Sequence, residues 1–125
     1  MRFGLTEQAI ERIHRVLARH HAVESAVIFG SRARGSHKPG SDVDLTLRGE
    51  GLSARELGII EDELDDLLLP MKMDLTLFDQ ITHEPLKEHI QRAGVVFYER
   101  PVDAGRGAAR ETGSAEAPAN VPGLL

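Results

Sequence analysis

Two stretches of this chain alternate apolar and polar residues at the period of a half-buried strand, and both put aspartate on the polar side. In residues 42–48, Val43, Leu45 and Leu47 take one face while Asp42, Asp44 and Thr46 take the other. In residues 72–78, Met73, Leu75 and Leu77 stand opposite Lys72, Asp74 and Thr76. One face of each strand has a core to reach, and the other is acidic. Aspartate is disfavoured in strands, so three of them on strand polar faces ask for a reason beyond solvation.

The rest of the chain supplies what such strands need for cover. A helix is predicted over 6–20, capped by Thr6, with Leu5 and Ile10 at staple positions and Ile10, Ile13, Val16 and Leu17 as its apolar stripe. Residues 24–29 read as a buried strand. Gly49-Glu50-Gly51 breaks the strand at 42–48, and Ser53-Ala54-Arg55-Glu56 reads as a capping box that opens a second helix. Its buried stripe is predicted as Leu57, Ile60, Leu64, Leu67 and Leu68, and Pro70 marks its end. A third helix is predicted over 82–92, ended by Gly94, and Val95-Val96-Phe97-Tyr98 as a closing strand. From Pro101 onward periodicity stops and Gly, Ala, Pro, Ser and Glu dominate. The predicted organisation is one domain over 1–100 and a disordered tail over 101–125. Its fold class is α/β (α+β), a small mixed sheet flanked by helices.

Composition removes several function classes. The 125 residues suffice for one core. A net charge of −5 argues against a general nucleic-acid surface, and 4% aromatic content with no Trp argues against base-stacking platforms. With no cysteine there is no disulfide, thiolate metal site or cysteine nucleophile. Met1-Arg2-Phe3-Gly4 lacks an apolar signal region and no stretch nears 18 apolar residues, so a cytoplasmic protein without membrane contact is expected.

The acidic strand at 42–48 is preceded by a loop that suits phosphate. Gly30 and Ser31 follow the strand at 24–29, ten residues intervene, and Asp42-Val43-Asp44 begins the next strand. With three glycines and one proline between 30 and 41, the segment has no long regular structure, although Ser31–Gly35 has room for one helical turn. Gly30 lets the backbone approach a phosphate, the Ser31 hydroxyl and nearby N–H groups can donate to phosphate oxygens, and Arg32 and Arg34 are candidate phosphate partners. Asp42 and Asp44 leave one face of a strand roughly 7 Å apart at the backbone. Carboxylates at that spacing can grip Mg²⁺, which binds through a few carboxylates plus substrate phosphates. If the two acidic strands are neighbours, Asp74 joins them.

This pattern resembles the signature of the DNA polymerase β-like nucleotidyltransferase superfamily. Its compact form, Phe29-Gly30-Ser31-Arg32-Ala33-Arg34-Gly35 with Ser41-Asp42-Val43-Asp44-Leu45, resembles the minimal nucleotidyltransferases, the MNT antitoxin proteins. The likeness spans about residues 5–100. It implies a nucleotidyltransferase fold, ATP or another nucleoside triphosphate bound at Gly30 and Ser31, and two Mg²⁺ ions held by Asp42, Asp44 and Asp74. It also implies that Asp74 activates the acceptor hydroxyl. The partner it implies is a HEPN-domain ribonuclease toxin, to whose tyrosine some members transfer AMP. No second domain is expected in the chain to present an acceptor. The alternatives are an antitoxin that neutralises its partner by contact alone and a small-molecule nucleotidyltransferase.

Other features read as structural. The run Glu61-Asp62-Glu63-Leu64-Asp65-Asp66 is predicted to be a solvated helix face, and His20-His21 a surface helix end. Asp79 suits a turn, and Tyr98 a partly buried edge-strand position. His37, in the loop, has the polarity either to touch nucleotide or simply to face solvent. Lys72 shares the face of Asp74, where it can pair with carboxylate or reach phosphate.

Overall fold

Thr6 opens the first helix by accepting the Ala9 amide on its hydroxyl at 3.0 Å, and Leu5 and Ile10 on either side of that cap are both buried. The computed structural model describes residues 1–38 and 40–101. Its elements run α1 (Glu7–Ala18), β1 (Ser25–Phe29), α2 (Ser31–Arg34), β2 (Val43–Arg48), α3 (Ala54–Asp65), β3 (Met73–Leu77), α4 (Glu84–Ala93) and β4 (Val95–Glu99), with a 3₁₀ turn at Phe78–Gln80 that includes Asp79. The tail expected from 101 onward lies, from residue 102, outside the described residues.

The sheet is mixed, in the order β3-β2-β1-β4. β1 runs antiparallel to both β2 and β4, whereas β2 and β3 are parallel. A parallel pair needs a crossover of a dozen or more residues, and α3 with its flanking turns supplies it. Val43, Leu45 and Leu47 of β2, Leu75 and Leu77 of β3, and Ala26 and Ile28 of β1 pack with Ile10, Ile13, Val16 and Leu17 of α1 and Ile60 and Leu64 of α3. α4 serves the opposite face, where Gly94 at its end meets Val27 of β1. No helix among the described residues is long and apolar enough to cross a membrane.

Five local expectations change. The capping box of α3 forms by half: Ser53 accepts the Glu56 amide at 3.2 Å, but the Glu56 carboxylate reaches His20 Nδ1 at 3.1 Å instead of returning to the cap. The stripe of α3 stops before Leu68, which is 87% exposed, because the helix ends at Asp65 and the chain then passes through a left-handed residue at Leu68 (φ 56°). His20 is no surface helix end; its ring sits between Glu56 and Glu63 of α3, with Nε2 at 2.8 Å from Glu63. Thr46, placed with the aspartates on the polar face of its strand, is fully buried. α4 also begins two residues later than predicted, with Pro85 in its first turn.

Candidate active site

Gly30 ends β1 with φ 80° and ψ −154°, a region essentially closed to residues with a side chain. A Cβ there would lie 2.6 Å from Asp44 Oδ2. The missing side chain is thus required twice, by the backbone and by the carboxylate that occupies the space. Ser31–Arg34 then makes one helical turn, closed by Gly35 in the left-handed conformation (φ 77°). The first amides of such a turn have no acceptor behind them, and Gly30, which precedes the turn, borders the Asp44 carboxylate.

The parallel register sets Asp44 directly opposite Asp74, while β1 sets Phe29 opposite Asp44 on the other side. Neighbouring strands lie about 4.8 Å apart, so the condition left open by the sequence is met. Asp42, exposed, immediately precedes β2; Asp44 is partly buried. Burial first, then the charges of Asp74 and Asp42, hold the Asp44 carboxyl above the ordinary aspartate range. Two neighbours pressing on one carboxyl is the electrostatic mark of convergence. Lys72 Nζ stands 3.7 Å from Asp74 Oδ1 and relieves some of that charge from the solvent side.

Among the described residues, no three histidine or acidic side chains are arranged to hold an ion by themselves. The donor set nonetheless suits Mg²⁺, whose ligands at such sites are one or two carboxylates completed by waters and substrate phosphates. The donors are hard oxygens, mutually repelling, and open to a ligand that would complete the shell.

Arg32 is placed differently from the phosphate partner the sequence suggested. It is 3% exposed, and its guanidinium donates to main-chain carbonyls, with Nε and Nη2 at 3.0 and 2.8 Å from Ser41 O and Nη1 at 2.7 Å from Phe3 O. Those bonds are directed into the protein. Arg34 is the arginine of the turn that remains exposed. His37 is half-buried, and its Nδ1 is buried without a hydrogen-bond partner. The role of the Arg2–Leu5 segment behind the loop was not legible at all; Gly4 is its single sequence cue.

The family model described as "Polymerase beta, Nucleotidyltransferase" matches residues 11–103, well over half of the chain. The Methanocaldococcus jannaschii protein named "Putative protein adenylyltransferase MJ0435" is 37% identical over 76 residues, covering 60% of this chain and 80% of that protein. Among solved structures, a toxin–antitoxin with AMP-PNP superposes with a TM-score of 0.59 at 18% identity, covering 77% of this chain and 75% of that one. The toxin–antitoxin MntA-HepT gives 0.57 at 14% identity, covering 76% and 74%. At these identities the two structures establish a shared fold.

Proposed function

From the premise that the chain belongs to the polymerase beta nucleotidyltransferase family and is a nucleotidyltransferase, we propose that it transfers AMP from ATP to a hydroxyl of a partner protein. The partner in this reading is a HEPN-domain toxin, which the transfer would neutralise. The observation that carries the chemistry is the register that sets Asp44 opposite Asp74, with Asp42 alongside and Gly30 cleared for the Asp44 carboxylate. The adenylyl group and the protein acceptor are supported by the name of the methanogen relative, and the toxin by the toxin–antitoxin structures that share the fold.

Each residue has a task on this reading. Gly30 admits the triphosphate close to the backbone, and Ser31 donates its hydroxyl to a phosphate oxygen. Asp42, Asp44 and Asp74 would hold Mg²⁺, two ions in the fullest form. Bound there, Mg²⁺ would neutralise charge on the phosphates during in-line displacement. Asp74, beside Lys72, takes the proton of the acceptor hydroxyl as that oxygen bonds to the α-phosphorus and pyrophosphate leaves. No direct nucleic-acid contact is needed, and the site of action is the cytoplasm, where ATP is available.

The test is to incubate the protein with the product of its neighbouring gene, Mg²⁺ and ATP labelled in the α-phosphate. The label should appear on the partner and fall to background with Asp42→Asn plus Asp44→Asn, a pair that keeps shape and removes charge. Full neutralisation of the partner by that double variant would establish the contact-only reading instead.

A further inference from the structure

Behind the nucleotide loop lies a tight turn that the proposed transfer does not use. Arg2 and Leu5 exchange backbone hydrogen bonds at 3.0 and 2.8 Å. The two residues between them are both left-handed, Phe3 at φ 57° and Gly4 at φ 73°. That geometry is ordinary for glycine; a phenylalanine holds it only where its surroundings require it. Three contacts meet the requirement. Leu5 is anchored in the core, the Phe3 ring lies 6.1 Å from Phe97, and the Phe3 carbonyl receives Arg32 Nη1 at 2.7 Å.

Gly4 closes the arrangement. A Cβ at Gly4 would collide with His37 Nε2 and stand 2.7 Å from Arg32 Nη1. The turn is therefore in direct contact with two side chains of the loop. Arg32 also passes the grip forward, since its Nε and Nη2 both hold the carbonyl of Ser41, the residue before Asp42. One guanidinium thus links the turn, the helical turn that starts at Ser31, and the backbone that presents Asp42. A guanidinium this buried with only carbonyl partners is a poor device for stability, because desolvation of the charge offsets much of what the bonds return. Placing it across a glycine-rich loop makes sense if the loop must keep one shape.

We propose that the Arg2–Leu5 turn and Arg32 form a clamp that fixes the separation between Ser31 and Asp42, so that Gly4, Phe3 and Arg32 are positioning residues for the nucleotide. The proposal rests on the reading of Gly30, Ser31 and Asp42 as the nucleotide site.

Three variants of the full chain test it: Arg32→Met, Arg32→Lys and Gly4→Ala. The first readout needs no ligand. Hydrogen exchange of the backbone amides of 31–38 and of Asp42 should quicken in Arg32→Met and Gly4→Ala, while those of β2 and β3 keep wild-type protection. The second readout is affinity for AMP-PNP with Mg²⁺, which should weaken about tenfold or more in both. The kcat/KM for ATP should fall in step with that affinity, because Ser31 and the Asp42 carboxylate both lose their fixed separation. Arg32→Lys should restore part of the affinity, since an ammonium can still reach one carbonyl. Combining Arg32→Met with Gly4→Ala should add little beyond either alone. Unchanged exchange in the loop would overturn the clamp, as would unchanged affinity in variants of a protein that binds. If the wild-type chain binds no AMP-PNP, the nucleotide reading fails, and loop exchange alone still decides whether the clamp exists.

Discussion

Gly30 carries no side chain where Asp44 Oδ2 stands, and its backbone conformation is one that other residues avoid. Gly30→Ala should cost about 1–3 kcal/mol of stability and lower transfer roughly 100-fold by displacing Asp44; urea denaturation and the labelled-ATP assay measure the two effects. Asp44→Asn should separate stability from function in the opposite sense. It removes the carboxyl on which burial, Asp74 and Asp42 all press, so the metal-free variant should be more stable by roughly 0.5 to 1 kcal/mol, a modest gain because solvent screens the cluster. Its transfer should nevertheless fall to background. The glycine-serine pair and the three aspartates were legible because each is chemically conspicuous where it stands in sequence. Arg32 was not: whether a loop arginine faces phosphate or protein is decided by the carbonyl of Phe3, 29 residues away.

The α1–α3 contact illustrates the same division among elements. The caps at Thr6 and Ser53 were readable because a cap is a local bond between residues three apart. The contact itself depends on His20, whose two ring nitrogens face Glu56 and Glu63, with Arg19 on Glu63 at 3.2 Å. Nothing in a 36-residue separation announces that Glu56 will leave its capping box for a histidine. The Glu63 carboxyl is held below the ordinary glutamate range, mainly by its hydrogen bond with His20; burial opposes this, and the hydrogen bond from Arg19 adds a lesser lowering. A lowered carboxyl pKa stabilises the fold above the unfolded value near 4.5 and loses that contribution as pH falls through the lowered value. Glu63→Gln should therefore cost roughly 0.5 to 1 kcal/mol at neutral pH, and the gap to wild type should close on acidification below pH 4. Urea titrations across pH 3–7 would reveal the trend; a gap independent of pH would mean that packing, not charge, holds the helices together.

At the scale of the whole molecule, element order was readable but strand order was not. Alternation predicts a half-buried strand without naming its neighbour, so the meeting of Asp44 with Asp74 depended on a parallel pairing that only α3, packed in the core between β2 and β3, enforces. The proposed end of the working fold is Arg100. The last strand closes against β1, and Arg100 then seals the junction. Its backbone amide donates to Glu24 O at 2.9 Å, and its side chain donates to Val23 O at 3.0 Å and His20 O at 2.7 Å. Those carbonyls lie at the turn between α1 and β1, next to the histidine that joins α1 to α3. A chain ending at Arg100 keeps every one of these bonds and should melt within about 2 °C of the full-length protein, with transfer retained. A chain ending at Glu99 loses the guanidinium and leaves partly buried carbonyls without donors, at a cost of about 1–3 kcal/mol, and should melt several degrees lower. Scanning calorimetry on the two truncations decides the matter. If the chain ending at Arg100 fails to fold, residues beyond it belong to the domain; if the two melt alike, Arg100 is not the seal these hydrogen bonds describe.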